Sequence, residues 1–387
     1  MHGVWRCKLA PIKACILSIH MGSVHSIAPA LNRSNAISMR QVNLHDVASE
    51  AGVSAQTVSR VINNRPDVAP ATRERVWNAI NRLGYKPNAL ARGLVAKRSR
   101  SLGIITMALE QLFHSDVIAG FEQEARRRNY VCQMAFTDGE ADDVRQVIGQ
   151  MLERQVEGVA LLVPIQVTLP PIFLRVPMIA LAHPLNNKHV INIDIDNVTG
   201  GYTAVNHLLQ LGHTRIGQIA GPGNWKATHD RMEGARRALA EAQLVLQQDD
   251  FVMADDWTLH AGYEAAKALL ARNRGHTAYF CHNDSLALGA MRALRQAGYT
   301  LPDEFSIVGY DDLPTSEYTS PTLTSIRQPM RSLGQLMAEL LITAAERDEV
   351  VRHEVIIPVE LVVRESTTVC KRQTMPEAIS QRLQHRQ

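Results

Sequence analysis

Cysteine is scarce in this 387-residue chain. Cys7, Cys15, Cys132, Cys281 and Cys370 are scattered, odd in number and without a C-x-x-C pair. That excludes a disulfide-stapled secreted scaffold and fits a reducing compartment. Long apolar runs are also missing: none reaches the roughly 18 uncharged residues of a membrane span. There is no G-x-S-x-G, no G-x-x-x-x-G-K-[ST] and no G-x-G-x-x-G after a strand, and nothing marks two carboxylates as an acid/base pair. Neither an enzyme nor a membrane protein is therefore expected. Acid is absent from residues 1–38, which carry four Lys/Arg.

Charge is present, but unevenly. Residues 39–100 hold 11 Lys/Arg against Asp46, Glu50, Asp67 and Glu74, a net +7, while residues 101–387 hold 26 against 34, a net −8. A basic module of about 60 residues precedes an acidic body, which points to a polyanion partner for the front alone. At about 150 residues per domain the length allows two to three domains. Residues 1–38 have no helical or strand period and no clean signal-peptide core. They are expected to be a disordered leader or a start-site overrun, with translation beginning at Met39.

In V-N-L-H-D-V-A-S-E-A, Leu44, Val47, Ala48 and Ala51 form one helical stripe, with Asn43 and Asp46 spaced as a capping box and Gly52 as the stop. Ser54 then caps a second helix over 55–62, with Val58, Val61 and Ile62 inward. Its other face carries Ala55, Gln56, Ser59, Arg60 and Asn63, which are small or able to bond to base edges and phosphates. Pro70 starts a third helix with Val76, Ala79, Ile80 and Leu83 as its stripe, ended by Gly84. Two short helices around a glycine turn, braced by a third, predict a helix-turn-helix. A three-helix bundle with another binding role fits the same pattern.

The strings L-H-D-V-A-S-E-A-G-V-S-A-Q-T-V-S-R-V-I-N and, at 82–94, R-L-G-Y-K-P-N-A-L-A-R-G-L resemble the LacI/GalR family of bacterial transcription regulators. The resemblance implies that Ala55, Gln56 and Arg60 read bases of an operator half-site, with Thr57, Ser59 and Asn63 beside them on the DNA. It implies a hinge helix over 88–100 that orders on DNA, with Asn88 and Lys97 at the backbone and Leu94 wedged into the minor groove.

From Ser101 onward, apolar runs (102–107, 130–136, 158–163, 177–181, 190–193, 215–220, 277–281, 306–309) alternate with helical spacings (117–128, 144–155, 200–211, 233–242, 257–271, 286–297). This predicts an α/β body of doubly wound parallel sheets with ligand at the strand C-termini. The strings I-D-N-V-T-G-G-Y, L-G-H-T-R-I-G-Q-I-A-G-P, H-D-R-M-E-G, H-N-D-S-L-A-L-G-A-M, V-G-Y-D-D and P-T-L-T-S-I-R-Q-P extend the resemblance to about residue 368. It implies a helix-turn-helix module (39–87) and hinge (88–100) followed by a two-lobed, periplasmic-binding-protein-like core over 101–368, with one lobe from 101–195 and 330–357, the other from 196–327 and 358–368, and a tail over 369–387.

For the effector, Arg231 offers a planar fork to vicinal hydroxyls, Asn283 a donor and an acceptor, Asp311 an acceptor, and Trp257 a flat wall for a sugar face. All four match effector positions of the family. Gln328 is a fifth candidate, and Phe113 and Val117 are candidates on the other lobe. Ala182 stands where some sugar-sensing members carry aspartate. Asn283–Asp284 also reads as a helix N-cap, Asp312 as structural, and Trp257 as core. His183, His213 and His229 lack metal spacing, so no metal or cofactor is expected.

The sequence thus predicts a cytoplasmic dimeric repressor of a carbohydrate-utilisation operon. It would bind a pseudo-palindromic operator under control of a mono- or disaccharide. A transport-type sugar-binding protein, a purine or sugar-phosphate sensor, and a co-repressed regulator or activator are the alternatives. Ile379 and Leu383 alone are too little for a tetramerising coiled coil.

Overall fold

The computed structural model describes residues 42–85, 98–107, 112–163, 169–182, 185, 187, 189–347 and 354–371. The leader, most of the hinge, and the tail beyond Lys371 lie outside these residues, as do Asn88, Leu94 and Lys97. The chain divides into two compact units, Met1–Pro87 and Asn88–Gln387.

In the first unit, α1 (Leu44–Ala51), α2 (Ala55–Ile62) and α3 (Pro70–Leu83) form as the periodicity requires. The capping box at α1 is complete: Asn43 Oδ1 accepts from the Asp46 amide at 3.1 Å, and Asp46 Oδ2 accepts from the Asn43 amide at 2.8 Å. Gly52 and Gly84 end α1 and α3 in the left-handed region, at φ 62° and 63°, where a Cβ is disfavoured. Val47, Ala48, Ala51, Val58, Val61, Val76, Ala79 and Ile80 make one small core.

The second unit contains two six-stranded sheets. The first lobe's sheet runs β11-β5-β4-β3-β1-β2 and is parallel throughout: β1 (Ser101–Thr106), β2 (Val131–Phe136), β3 (Val159–Leu162), β4 (Met178–Leu181), β5 (Val190–Ile195) and β11 (Glu354–Ile357). The second lobe's sheet runs β12-β10-β9-β8-β6-β7, with β6 (Ile216–Ala220), β7 (Phe251–Met253), β8 (Ala278–Cys281), β9 (Ser306–Asp311), β10 (Thr324–Arg327) and, antiparallel at the edge, β12 (Glu360–Val362). The chain crosses between sheets after β5, after β10 and after β11.

Each sheet is covered on both faces. In the first lobe, α4 (Leu112–Arg127) and α10 (Met330–Arg347) pack on one face and α5 (Ala141–Glu153) on the other. In the second, α6 (Asn197–Gln210) and α7 (Lys226–Glu241) cover one face, and α8 (Leu259–Ala271) and α9 (Asp284–Gln296) the other. Three helix pairs cross at glycines, Gly120 with Gly334, Gly201 with Gly234, and Gly262 with Gly289. A Cβ at any of them would overlap the partner backbone.

Several elements differ from the sequence expectation. Helix α7 starts at Lys226 rather than near 233. Its first turns, K-A-T-H-D-R, carry no apolar stripe to signal a helix. Strands β7, β10, β11 and β12 and helix α10 were not anticipated; β10 reads T-S-I-R, and its polar residues bond inside the lobe.

Candidate functional site

On α2, Gln56, Arg60 and Asn63 are exposed, while Ala55, Thr57 and Ser59 are half-buried. Val58 and Val61 point inward, so the predicted outward face exists. Thr57 supports the cap: its amide donates to Ser54 Oγ at 3.1 Å, and the two hydroxyls lie 2.9 Å apart. Arg60 is 3.3 Å from Asp67, both about half exposed. Such a surface pair is weak and free to exchange for a phosphate. Arg73 braces the turn after α2, donating to Asn64 Oδ1 at 2.9 Å and to the Arg65 carbonyl at 2.6 Å.

The second lobe gathers the other candidates at its strand C-termini. Arg231, on α7, is 4% exposed. Its Nε donates to Asn197 Oδ1 at 2.8 Å and its Nη1 to the His282 carbonyl. Its guanidinium carbon lies 3.6 Å from the centre of the Tyr310 ring and 5.6 Å from that of Trp257. Among the described residues no carboxylate pairs with it within salt-bridge distance. A buried cation held by neutral acceptors and ring faces is poised to donate to a ligand.

Asp311 ends β9 at φ 107°, a backbone angle that costs a non-glycine residue energy and that marks functional positions. Gln328 Nε2 donates to its Oδ1 at 2.5 Å, while Gln328 Oε1 is buried without a partner. Burial pushes the Asp311 carboxyl up to about 8, against the opposing pull of Arg231 and Gln328 and with the help of Asp284. A cavity of about 240 Å³ opens beside it. The second lobe lines this cavity with Asp311, Asp312, Arg327 and Gln328, and the first lobe with Asp116 and Arg331.

Trp257 is half-buried. Its ring covers Gly221, where a Cβ would overlap it, and its Nε1 is buried without a partner. Asn283 is committed within the protein: its Oδ1 caps α9 through the Leu286 amide at 2.8 Å, and its Nδ2 donates to the Trp257 carbonyl at 3.2 Å. Its geometry therefore fixes the Trp257 loop. Val117 is fully buried in the first lobe's core and offers no surface to a ligand, because α4 packs that face on its sheet. The side chain of Phe113 lies outside the described residues. Ala182 takes φ 65°.

The reading of Asp284 as a cap gives way to a larger role. Asp284 is fully buried, and accepts from the Leu313 amide at 2.7 Å, Ser316 Oγ at 2.7 Å and Ser325 Oγ at 2.6 Å. It thereby ties down the turn carrying Asp311. Burial raises its carboxyl to about 6, against those three donors. Gly309 is required there, since a Cβ would overlap the Asp284 carboxylate. Asp312 is structural, bonded at 2.6 Å to both Arg327 and Arg364. His213 is also internal, with Thr277 Oγ1 at 2.9 Å and Ser306 Oγ at 3.0 Å.

Several neighbours were not anticipated: Asn197, Gln218, Trp225, Lys226 and Tyr310. In I-D-N-V-T-G-G-Y, Asp196 caps α6 by accepting from the Thr199 amide at 2.9 Å, and Asn197 holds Arg231. Lys226 Nζ donates to Asp194 Oδ2 of the first lobe at 2.7 Å and also to Asp230.

A small helical module of this kind, joined to two doubly wound lobes with polar groups at the strand ends, defines an effector-responsive DNA-binding regulator. The family model described as bacterial regulatory proteins, lacI family, matches residues 43–88, and that of the periplasmic binding protein-like domain matches 205–367. The chain is 34% identical over 310 residues to the HTH-type transcriptional repressor PurR of Vibrio cholerae serotype O1 (strain M66-2), covering 77% of this chain and 90% of that one. It is 32% identical over 330 residues to catabolite control protein A of Priestia megaterium, covering 84% and 99%. Among solved structures it is similar to the Lac repressor dimer bound to operator and the anti-inducer ONPF (30% identity, TM-score 0.78, 85% of this chain and 100% of that one). It is also similar to the transcriptional regulator CelR in complex with cellobiose (31%, TM-score 0.63, 84% and 99%).

The chain belongs to the LacI family, and is a DNA-binding transcriptional repressor rather than an enzyme. No helix among the described residues is long and apolar enough to cross a membrane.

Proposed function

We propose that this repressor controls a carbohydrate-utilisation operon and that a mono- or disaccharide bound between the lobes releases it from DNA. The observation that carries this reading is the grouping of Arg231, Asp311 and Trp257 at the C-terminal ends of one sheet. Together they offer a planar donor, an acceptor and a flat apolar wall, which is what a polyol with one apolar face requires. The ligand acts by differential affinity for two lobe arrangements, and operator affinity shifts by the same coupling energy.

The operator reading rests on Gln56, Arg60 and Asn63 exposed on α2, with Ala55, Thr57 and Ser59 beside them, and on Asn88, Leu94 and Lys97 of the hinge. One such helix reads a half-site, so a homodimer on a pseudo-palindrome follows. The exposed apolar residues of the edge strands, Val131, Met134 and Phe136 on β2 and Met253 on β7, supply surface for a second copy.

A purine effector is the second reading. A flat indole beside a guanidinium also stacks a nucleobase, and the PurR relatives are 34% identical. A thermal-shift series with neutral sugars, sugar phosphates and purines separates the two. A sugar-dependent rise in Tm that Asp311→Ala abolishes supports the sugar. A rise with hypoxanthine or guanine and none with sugars would overturn it.

A further inference from the structure

We propose that Trp225 is a second aromatic wall of the effector site, at right angles to Trp257, and that the effector it selects is a disaccharide. This rests on the sugar reading above.

Trp225 occupies the N-cap of α7, yet it makes no side-chain capping bond there. Cap positions favour Ser, Thr, Asp or Asn, and an apolar residue there forgoes the bond to the first-turn amides. Asn224 stands one residue earlier, so a capping side chain is at hand but the indole takes the position. Trp225 is only half-buried, and its ring meets that of Trp257 at 83° with centroids 5.6 Å apart. Edge-to-face geometry leaves the two ring faces on different walls of one corner. Gly221 lies beneath Trp257 and begins the loop that ends in Trp225.

The corner is held still. The Trp225 amide donates to the Pro222 carbonyl at 3.2 Å, and His229 Nε2 lies 2.7 Å from the Gly223 carbonyl. The next residue, Lys226, reaches Asp194 of the first lobe at 2.7 Å, which sets the loop at the junction between lobes. Arg231 follows by six positions on the same helix, with its guanidinium over Trp257. A first sugar ring engaged by Arg231, Asp311 and Trp257 therefore extends its glycosidic substituent towards Trp225. A single ring leaves the second indole half wet, and a second ring covers it.

The test is isothermal titration of the full chain with glucose, galactose and mannose against cellobiose, maltose, lactose and trehalose, in the parent, Trp225→Ala and Trp225→Phe. One disaccharide is expected to bind about tenfold tighter than its constituent monosaccharide, as one aromatic contact supplies. Trp225→Ala is expected to erase that difference while leaving the monosaccharide within about threefold, and Trp225→Phe to keep most of it. Unchanged Tm values without ligand show that the fold persists. A parent that binds only monosaccharides, or a Trp225→Ala variant that weakens both classes equally or neither, would overturn the second wall and leave the sugar reading standing. Binding of hypoxanthine with no sugar would overturn both.

Discussion

The two lobes share one strand order, apart from the direction of the edge strand β12, and differ at the ends of their strands. In the first lobe β3 and β4 end in Leu162 and Leu181, fully enclosed by apolar neighbours. In the second lobe the equivalent edge carries His282 and Asn283 after β8, Asp311 at the end of β9, Gln328 after β10, and Arg231 on the helix above. The same fold thus makes an apolar core where its strand ends are apolar and a buried polar cluster where they are polar. On the proposed reading, the polar side chains at these ends, with Asp116 and Arg331 of the first lobe beside them, decide what enters the cleft. The buried cost of those side chains is met locally: Arg231 by ring faces and carbonyls, Asp284 by three donors, Asp311 by Gln328.

This asymmetry can be broken from the polar side. The largest effect is expected at Asp284→Ala, which leaves two hydroxyls and an amide without their acceptor. A stability loss of about 3 kcal/mol is expected by chemical denaturation, together with loss of effector binding because the Asp311 turn is released. Arg231→Met comes next. Effector affinity should fall on the order of a hundredfold by titration, the worth of two hydrogen bonds to a charged group, and Tm should fall as well, because Asn197 Oδ1 and the His282 carbonyl lose their donor and Asp311 loses the neighbouring positive charge.

Asp311→Asn probes the same polar end through pH. Burial raises the parent carboxyl to about 8, so the folded state holds that proton more tightly than the unfolded state does. Its stabilising contribution is complete below the ordinary carboxylate range and is lost as pH rises through about 8. The variant carries no proton to lose. The Tm of the variant relative to the parent should therefore increase from pH 5 to pH 9 in differential scanning fluorimetry, and a flat difference would show that Asp311 is not enclosed. The smallest effect is expected at Lys226→Met, which removes the bridge to Asp194. These side chains are about one-third exposed or less. A loss of about 1 kcal/mol, or roughly 2–4 °C in Tm, is expected.

Legibility in the sequence divided along the same line. The small helical unit was readable nearly residue by residue, because Asn43, Gly52, Ser54, Pro70 and Gly84 punctuate it and its core is a local stripe. Eight strands, β1 to β6, β8 and β9, were readable as apolar runs, whereas β7, β10, β11 and β12 were not. The site was readable as residue types, not as arrangement. Asn283 was readable both as a ligand amide and as an N-cap, and the cap is made, but nothing local shows that its nitrogen holds the Trp257 carbonyl. Asp284 looked like a cap because its three donors come from residues 29 to 41 positions away. Val117 satisfied a helical period that serves the core. The opening turns of α7, with Trp225 and Lys226, were invisible because residues that face a cleft do not repeat every 3.6 positions.

The most direct test of the account is operator release. Fluorescence anisotropy would follow the full chain on a duplex selected from a random pool, titrated with the sugar that raises Tm, in the parent and in Arg231→Met. The sugar is expected to weaken DNA binding of the parent by at least about tenfold, and the variant to bind the same duplex as tightly but no longer respond. A variant that responds like its parent, or a parent released by hypoxanthine and indifferent to every sugar, would contradict it.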